Sequence, residues 1–195
     1  MQAHDALLLV DVQKDFCEGG KLAVSEGDQI VPVLNQYIEE FKAAHLPVFA
    51  TRDWHPEQTI HFNTGGGVWP PHCIQGTAGA EFQPDLALFE DVVIISAGTR
   101  PDEQGFSGFE GKDAEGKPLL DLLHEQGVKR LFVGGLATDY CVRSTVLDAL
   151  RLGFRVVLVK DAIRGVDLKS GDSRRAIEEM IREGAEIKTS PPGSE

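Results

Sequence analysis

Residues 130–159 decide the fold, and they read RLFVGGLATDYCVRSTVLDALRLGFRVVLV. The apolar runs at 130–135 and 155–159 show no polar alternation, which predicts strands buried on both faces. Between them, residues 139–152 place their apolar side chains on one helical face, and Gly153 follows as a helix stop. A strand, a helix and a second strand in this order predict part of a parallel sheet covered by helices.

The same alternation continues outward along the chain. Further apolar runs predict strands at residues 6–10, 47–51 and 92–96 and an edge strand at 185–188. Amphipathic segments predict helices over residues 30–44, 118–127 and 172–183. The sequence therefore predicts an α/β fold, a doubly wound three-layer sandwich with a parallel sheet.

Length and composition fit one globular domain. The chain has 195 residues, of which 42% are hydrophobic and 26% charged, as is typical of a folded protein. We expect a single domain over residues 1–188 and a loose tail, TSPPGSE, over residues 189–195. The net charge of −12 argues against nucleic acid and anionic membranes as partners, and it says little about a small neutral substrate.

The amino-terminal sequence and the cysteines predict a cytoplasmic protein. The segment MQAHDALLLVDVQ lacks the basic start and the long apolar run of a secretory signal. Cys17, Cys73 and Cys141 cannot all pair, and their scatter suggests no disulfide framework.

Chemically active residues follow the predicted strands. Asp11 follows the first strand, Asp53 and His55 follow the second, Ala97 follows the third, and Cys141 comes shortly after the fourth. In a parallel α/β sheet, ligands bind at the edge formed by the carboxyl ends of the strands. We therefore expect an acid, a metal-type pair and a thiol to converge there.

Cys141 is the candidate nucleophile. It lies in the first turn of a predicted helix that Thr138 or Asp139 can cap, where free N–H groups lower a thiol pKa and can bind an oxyanion. Asp11 can take the thiol proton and return it to a leaving amine. The structural alternatives are a small buried hydrophobe at position 141 and a turn or cap residue at position 11.

A second set, Asp53, His55, His61 and His72, is a candidate metal site. One carboxylate oxygen and three imidazole nitrogens suit Zn, Fe or Mn. Asp53 and His55 are two residues apart at a strand end, so their side chains point to the same side. The alternative is a group of surface histidines, because this spacing is not specific by itself.

Five motifs, in order, resemble those of one family: LLLVDVQKDFCEGGKLAV, TRDWHPEQTIHF, WPPHCIQGTAGAEF, GFSGFEG and GGLATDYCVRSTVLDAL. The chain is similar to the nicotinamidases (pyrazinamidases) of the isochorismatase-like cysteine hydrolase superfamily, from residue 6 to about residue 188. The resemblance implies a six-stranded parallel sheet. It also implies the hydrolysis of nicotinamide to nicotinate and ammonia, a step of NAD salvage, with pyrazinamide as a second substrate.

The resemblance assigns roles to individual residues. Cys141 would be the nucleophile and Asp11 the proton shuttle. One divalent metal ion (Zn, Fe or Mn) would be held by Asp53, His55, His61 and His72. The ring of the aromatic amide would lie between Phe16, Leu22, Trp69 and Phe106, and the backbone amides of Ala137 and Cys141 would form the oxyanion hole. A cis peptide bond between Leu136 and Ala137 is also implied.

One position departs from the family pattern. After the third strand the family has lysine followed by glycine, where this chain has Ala97 and Gly98. That lysine completes the catalytic triad with the aspartate and the cysteine, and none of Arg100, Lys112 and Lys117 lies at an equivalent place. We therefore expect a poor amidase, slowed by roughly 10²–10⁴-fold.

Three explanations of Ala97 are open: natural divergence, an engineered replacement of lysine, and a drift to nicotinamide binding without turnover. We favour the engineered replacement, because every other motif position is intact and alanine is the usual truncation. The runner-up function is another cysteine amidase of the superfamily, of ureidoacrylate or N-carbamoylsarcosine type, although those relatives generally lack the histidine set. Isochorismatases lack the cysteine. A purely structural metal module is the weakest rival, and a homo-oligomer is left open.

Overall fold

The computed structural model describes residues 1–189, and the remaining residues of the predicted tail, 190–195, lie outside the described part. Six strands form one parallel sheet in the order β3-β2-β1-β4-β5-β6, which confirms the predicted α/β fold. The strands are β1 (Asp5–Val10), β2 (Val48–Asp53), β3 (Val93–Ala97), β4 (Arg130–Leu136), β5 (Arg155–Arg164) and β6 (Glu186–Lys188). The α-helices are α1 (Val31–Ala43), α2 (Leu119–Glu125), α3 (Arg143–Arg151) and α4 (Asp172–Arg182).

Two hydrophobic clusters cover the two faces of the sheet. Alternate residues of β1 belong to different clusters: Leu7 and Leu9 pack with α1, whereas Leu8 and Val10 pack with α2 and α3. All six residues of β1 are buried. The central strand therefore has no polar face, which explains the uninterrupted apolar run in its sequence. No helix within residues 1–189 is both long and apolar enough to cross a membrane.

Two elements differ from the predicted bounds. β5 continues to Arg164, beyond the apolar run, because its second half pairs with β4 after a register shift between Val133 and Gly135. The predicted helix from Asp139 begins as a π-helical turn over Thr138–Val142, and regular α-helix starts only at Arg143. The expectation of a single domain over residues 1–188 stays a prediction.

An ion pair joins β1 and β4 at the amino-terminal ends of the strands, opposite the edge at which ligands are expected. Arg130 Nε and Nη2, at the start of β4, donate to the two carboxylate oxygens of Asp5, at the start of β1, at 2.8 and 2.7 Å. Burial acts to raise the pKa of Asp5, but the hydrogen bonds from Arg130 and from the Gln2 amide outweigh it and lower the pKa.

We expect Asp5→Asn to lower the free energy of unfolding by about 2 kcal/mol at neutral pH, the scale of a charged hydrogen bond. A carboxyl group whose pKa is lowered by folding stabilises the protein above its unfolded pKa of about 3.9. That contribution disappears as the pH falls through the lowered folded value. Urea unfolding across the acid range should therefore show the two proteins converging below roughly pH 4.

Glu186→Gln provides the matched control, because Glu186 pairs with Arg155 in a largely exposed contact near the same edge. It should change stability by less than about 1 kcal/mol. Equal losses in both variants, or a constant difference between Asp5→Asn and the parent at all pH values, would contradict the assignment.

Candidate active site

The carboxyl ends of the central strands bring three reactive side chains together. Asp11 follows β1, Asp53 is the last residue of β2, and Cys141 lies in the π-helical turn after β4. One ligand atom from each lies within 4.8 Å of the other two, and all three residues are buried. Asp53 and Ala97 end their strands rather than following them, because β2 and β3 extend past the apolar runs.

Asp11 is held by its backbone and by a neighbouring hydroxyl. Its φ of 50° is in the left-handed region, which only a few per cent of residues other than glycine adopt. Thr51 of β2 donates from Oγ1 to Asp11 Oδ1 at 2.5 Å. Burial, and then the nearby carboxylate of Asp53, raise the pKa of Asp11 well above its ordinary value. The side chain is thus suited to carry a proton.

Cys141 does not have the lowered pKa that the sequence analysis predicts. Burial, and then the carboxylates of Asp11 and Asp53, raise the pKa of the thiol well above its ordinary value. The expected cap is also wrong, because no side chain caps the turn. Asp139 instead uses both carboxylate oxygens to bind the segment after β5. Both shifts favour the protonated forms, a neutral thiol beside a carboxylic acid.

Ala137 begins the turn that carries Cys141. The peptide bond between Leu136 and Ala137 is cis, as the resemblance implies. The carbonyl of Ala137 accepts from the amides of Tyr140 and Val142, both at 3.1 Å. Within residues 1–189, the Ala137 amide itself donates no hydrogen bond. This N–H group is therefore available to a ligand at the start of the turn.

Three buried imidazoles converge beside Asp53. The possible ligand atoms of His55, His61 and His72 lie within 4.8 Å of one another. Nε2 of His55 and Nε2 of His72 lie 3.5 and 3.6 Å from Asp53 Oδ2. Burial, and then the imidazole of His55, lower the pKa of His61 to about 4, so its ring is neutral at neutral pH. Neutral imidazole is the form that binds metals.

Each ring is anchored through the nitrogen that faces away from the cluster. Nδ1 of His55 contacts the Gly98 carbonyl at 3.1 Å, and Nδ1 of His72 contacts the Pro70 carbonyl at 2.7 Å. Nδ1 of His61 contacts Gln104 Oε1 at 3.1 Å. Acceptors at Nδ1 require a proton there and leave the Nε2 lone pair free, which is how metal-binding histidines are oriented.

The donor set fits a divalent metal ion. Asp53 Oδ1 and His55 Nε2 are buried without a hydrogen-bond partner in the described part of the chain. Buried polar atoms are rarely left unpaired, so these two atoms are suited to bind a metal ion. Three nitrogens and one carboxylate oxygen suit zinc and other transition metals.

We expect Gln104→Leu to weaken metal binding by roughly 10–100-fold, the usual cost of losing the anchor of a ligating histidine. Gln104 is exposed, so the substitution leaves the core unchanged. Competition with a chromogenic chelator measures the affinity. Gln104→Glu keeps an acceptor for His61 and should bind metal at least as well as the parent. If both variants match the parent, Gln104 does not orient His61.

A pocket opens over the thiol and the metal-type cluster. The walls predicted for the aromatic ring, Phe16, Leu22, Trp69 and Phe106, all line it, together with Ala137. Trp69 also meets Tyr140 edge-on, with ring centroids 4.8 Å apart. The pocket is thus mainly apolar and has aromatic walls, and Asp53, His61, His72 and Cys141 are among its polar lining residues.

Ala97 lies beside this cluster and brings no charge to it. It pairs with Asp53 across β2 and β3 and is 3% exposed. Neighbouring residues of parallel strands point their side chains to the same face, so the Ala97 methyl group is on the Asp53 side. In the described residues, no lysine or arginine forms a hydrogen bond or ion pair with Asp11 or Cys141.

The three basic residues near this loop do not replace a lysine. Arg100 pairs with Glu103, and Lys117 pairs with Glu125. The side chain of Lys112 is exposed. The site is therefore acidic apart from its imidazoles.

Several residues of the site are not predicted from the sequence. Tyr140 and Val166 also line the pocket. Tyr140 could be predicted, because it is adjacent to the candidate nucleophile. Val166 could not, because it follows the half of β5 that has no apolar run. Buried Gln13 donates to the Asp53 carbonyl and accepts from the Asp53 amide, both at 2.8 Å, and so fixes the end of β2. Thr51 gives no local signal either.

A parallel α/β sheet with a thiol, an acid and a metal-type cluster at its carboxyl edge defines a site of the cysteine hydrolase type. The chain belongs to the isochorismatase domain family, whose model matches residues 5–191. Within this family, it is similar to nicotinamidases and pyrazinamidases.

Three relatives carry this similarity. The nicotinamidase of Escherichia coli (strain K12) is 40% identical over 200 residues, covering 94% of each chain. The nicotinamidase/pyrazinamidase of Mycobacterium tuberculosis (strain ATCC 25618 / H37Rv) is 42% identical over 188 residues, covering 93% of this chain and 97% of its own. The pyrazinamidase of Pyrococcus horikoshii, solved in complex with zinc, is 50% identical with a TM-score of 0.88, covering 95% of this chain and 98% of its own. The resemblance found in the sequence is confirmed.

Proposed function

We propose that this chain is a nicotinamide and pyrazinamide amidohydrolase of reduced activity. The observation that carries the proposal is one pocket in which a buried thiol, a carboxylic acid and a metal-type cluster face flat aromatic walls. The named relatives support the substrate class. We further propose a single-domain cytoplasmic enzyme whose product, nicotinate, serves NAD salvage.

Binding would place the aromatic ring between the apolar walls and its carboxamide at the turn that carries Cys141. Phe16, Trp69 and Phe106 offer aromatic faces and edges to a planar ring. The Ala137 N–H group, free in the described structure, would point at the carboxamide oxygen. When bound, a divalent ion held by the three imidazoles and Asp53 supplies a Lewis acid at this edge of the pocket.

The first half-reaction releases ammonia. In the reacting state Asp11 is ionised. Its carboxylate takes the proton of the Cys141 thiol, and the sulfur attacks the carboxamide carbon to form a C–S bond. Asp11 then protonates the amino group, and the C–N bond breaks. The thiol proton thus leaves with ammonia, and a thioester remains on Cys141.

The second half-reaction releases the acid. Water passes a proton to Asp11, and its oxygen attacks the thioester carbon. The C–S bond breaks, and the proton returns to the sulfur. The net change is the addition of one water across the C–N bond, and Asp11 and Cys141 return to their starting forms.

Ala97 limits this cycle in the present chain. Both proton-transfer groups are held neutral by burial, and no cation beside them favours the charged pair that attack requires. A lysine at position 97 would supply such a cation. We therefore propose a slow enzyme, and we keep the engineered replacement of lysine as the favoured origin of Ala97.

Ammonia release from nicotinamide and pyrazinamide tests the function, with N-carbamoylsarcosine and ureidoacrylate as comparison substrates. The proposal expects slow release from the two aromatic amides and none above background from the others. Preference for a ureido substrate would favour the other amidases of the superfamily. The chain would be a binding protein if it bound nicotinamide tightly but released no ammonia, and if the Ala97→Lys variant behaved in the same way.

A further inference from the structure

The segment between β5 and α4, residues 165–171, is tied to the turn that carries Cys141 by one carboxylate. Asp139 Oδ1 accepts from the Val166 amide and Asp139 Oδ2 accepts from the Asp167 amide, both at 2.9 Å. Val166 lines the pocket, whereas Asp139 does not. Asp139 therefore connects the nucleophile turn to one wall of the pocket through backbone atoms of that wall.

The segment is equally constrained on its far side. Asp167 has a φ of 51°, and its carboxylate accepts from the amide and the hydroxyl of Ser173 in α4 at 2.9 and 2.7 Å. A Cβ atom at Gly165 would lie 2.9 Å from Asp139 Oδ1 and would overlap Ser173 Oγ. Only glycine lets the chain pass between Asp139 and α4 without displacing one of them.

We propose that Asp139 is a positioning residue that sets the distance between Cys141 and the Val166 wall, and so selects the ring substituents that the pocket accepts. This inference rests on the proposed amidase function for its substrates. A carboxylate that accepts two N–H groups holds them more strongly than a neutral acceptor does. Loss of one bond should let the wall retreat while the thiol and the acid stay in place.

Two variants disturb this contact from opposite sides. Asp139→Asn replaces one acceptor oxygen by an NH₂ group, which faces a backbone N–H group and cannot accept from it. Gly165→Ala adds a methyl group that overlaps Ser173 Oγ and crowds Asp139 Oδ1, so the loop must move relative to both. Arg143→Met is the matched control. Arg143 lies two residues after Cys141, as Asp139 lies two residues before it, and its side chain binds Glu179 of α4 at 2.6 and 2.8 Å.

Steady-state kinetics would be measured with Ala97→Lys present in every protein, so that turnover is readily followed. For nicotinamide, Asp139→Asn should raise KM roughly tenfold, the scale of one charged hydrogen bond, with a much smaller change in kcat. The kcat/KM ratio of ring-methylated nicotinamide to nicotinamide should rise in Asp139→Asn and Gly165→Ala but not in Arg143→Met. An unchanged ratio in the first two variants would overturn the proposal, whatever their thermal stability.

A second measurement does not depend on the amidase function. Alkylation of Cys141 by iodoacetamide and by the bulkier N-phenylmaleimide would be followed by peptide mass spectrometry at one fixed pH. The rate ratio of the bulky to the small reagent should rise in Asp139→Asn and Gly165→Ala and match the parent in Arg143→Met. A shifted ratio in proteins that release no ammonia would refute the proposed function and keep the positioning role. Normal turnover with parental ratios would refute the positioning role alone.

Discussion

Ala97→Lys should raise the rate of ammonia release from nicotinamide by roughly 10²–10⁴-fold, the range seen for single groups of a catalytic site. The reason is electrostatic, because a lysine stem starting beside Asp53 can extend over the end of β2 towards Asp11. Its ammonium group would favour the Asp11 carboxylate and the Cys141 thiolate together. Ammonia release under saturating substrate measures the gain.

Ala97→Met is the control for this experiment, because methionine fills a similar space without a charge. It should leave the rate near that of the parent, and thermal unfolding should show both variants folded. A fast parent would mean that position 97 needs no cation. A slow but folded Ala97→Lys variant would mean that the chain is not an amidase of this type.

Cys141→Ala, made in the Ala97→Lys protein, should reduce ammonia release by at least roughly 10⁴-fold, because it removes the atom that forms the thioester. Mass spectrometry of the protein quenched during turnover should find a nicotinoyl adduct on Cys141 in the Ala97→Lys protein and none after the substitution. Asp11→Asn should slow release comparably, since an amide cannot carry the proton from sulfur to nitrogen.

Cys17→Ala separates the loss of a thiol from the loss of the nucleophile. Cys17 is buried in the hydrophobic cluster, and burial, followed by the carboxylate of Asp28, raises its pKa to about 12. Its removal should reduce turnover only slightly. Retained activity in Cys141→Ala, or an adduct on Cys17, would contradict the assignment of the nucleophile.

The sheet was predictable because its signal is local. β1 is buried on both faces, so its sequence is an unbroken apolar run. α1 is amphipathic because it covers one face only. The second half of β5 was missed because it contains Lys160 and Asp161, and its pairing depends on a register shift in the neighbouring strand. The sequence of β5 therefore does not reveal a register shift that lies in β4.

The site was predictable only in part, for a similar reason. Asp11, Asp53 and Cys141 were placed together because parallel strands end at one edge. The start of a helix predicts a lowered thiol pKa, whereas burial and the carboxylates of Asp11 and Asp53 raise it. Gln104, the anchor of His61, is distant in sequence and carries no motif of its own. Such contacts depend on the three-dimensional arrangement of loops.

The Asp5–Arg130 pair lies at the end of the sheet opposite the catalytic pocket. We therefore expect that substitutions at the amino-terminal ends of the strands can raise thermal stability without changing the chemistry at the carboxyl ends. A directed-evolution library confined to the amino-terminal ends of the strands should yield thermotolerant descendants with parental turnover. Such descendants would tolerate the disruptive changes around the pocket that new substrates demand.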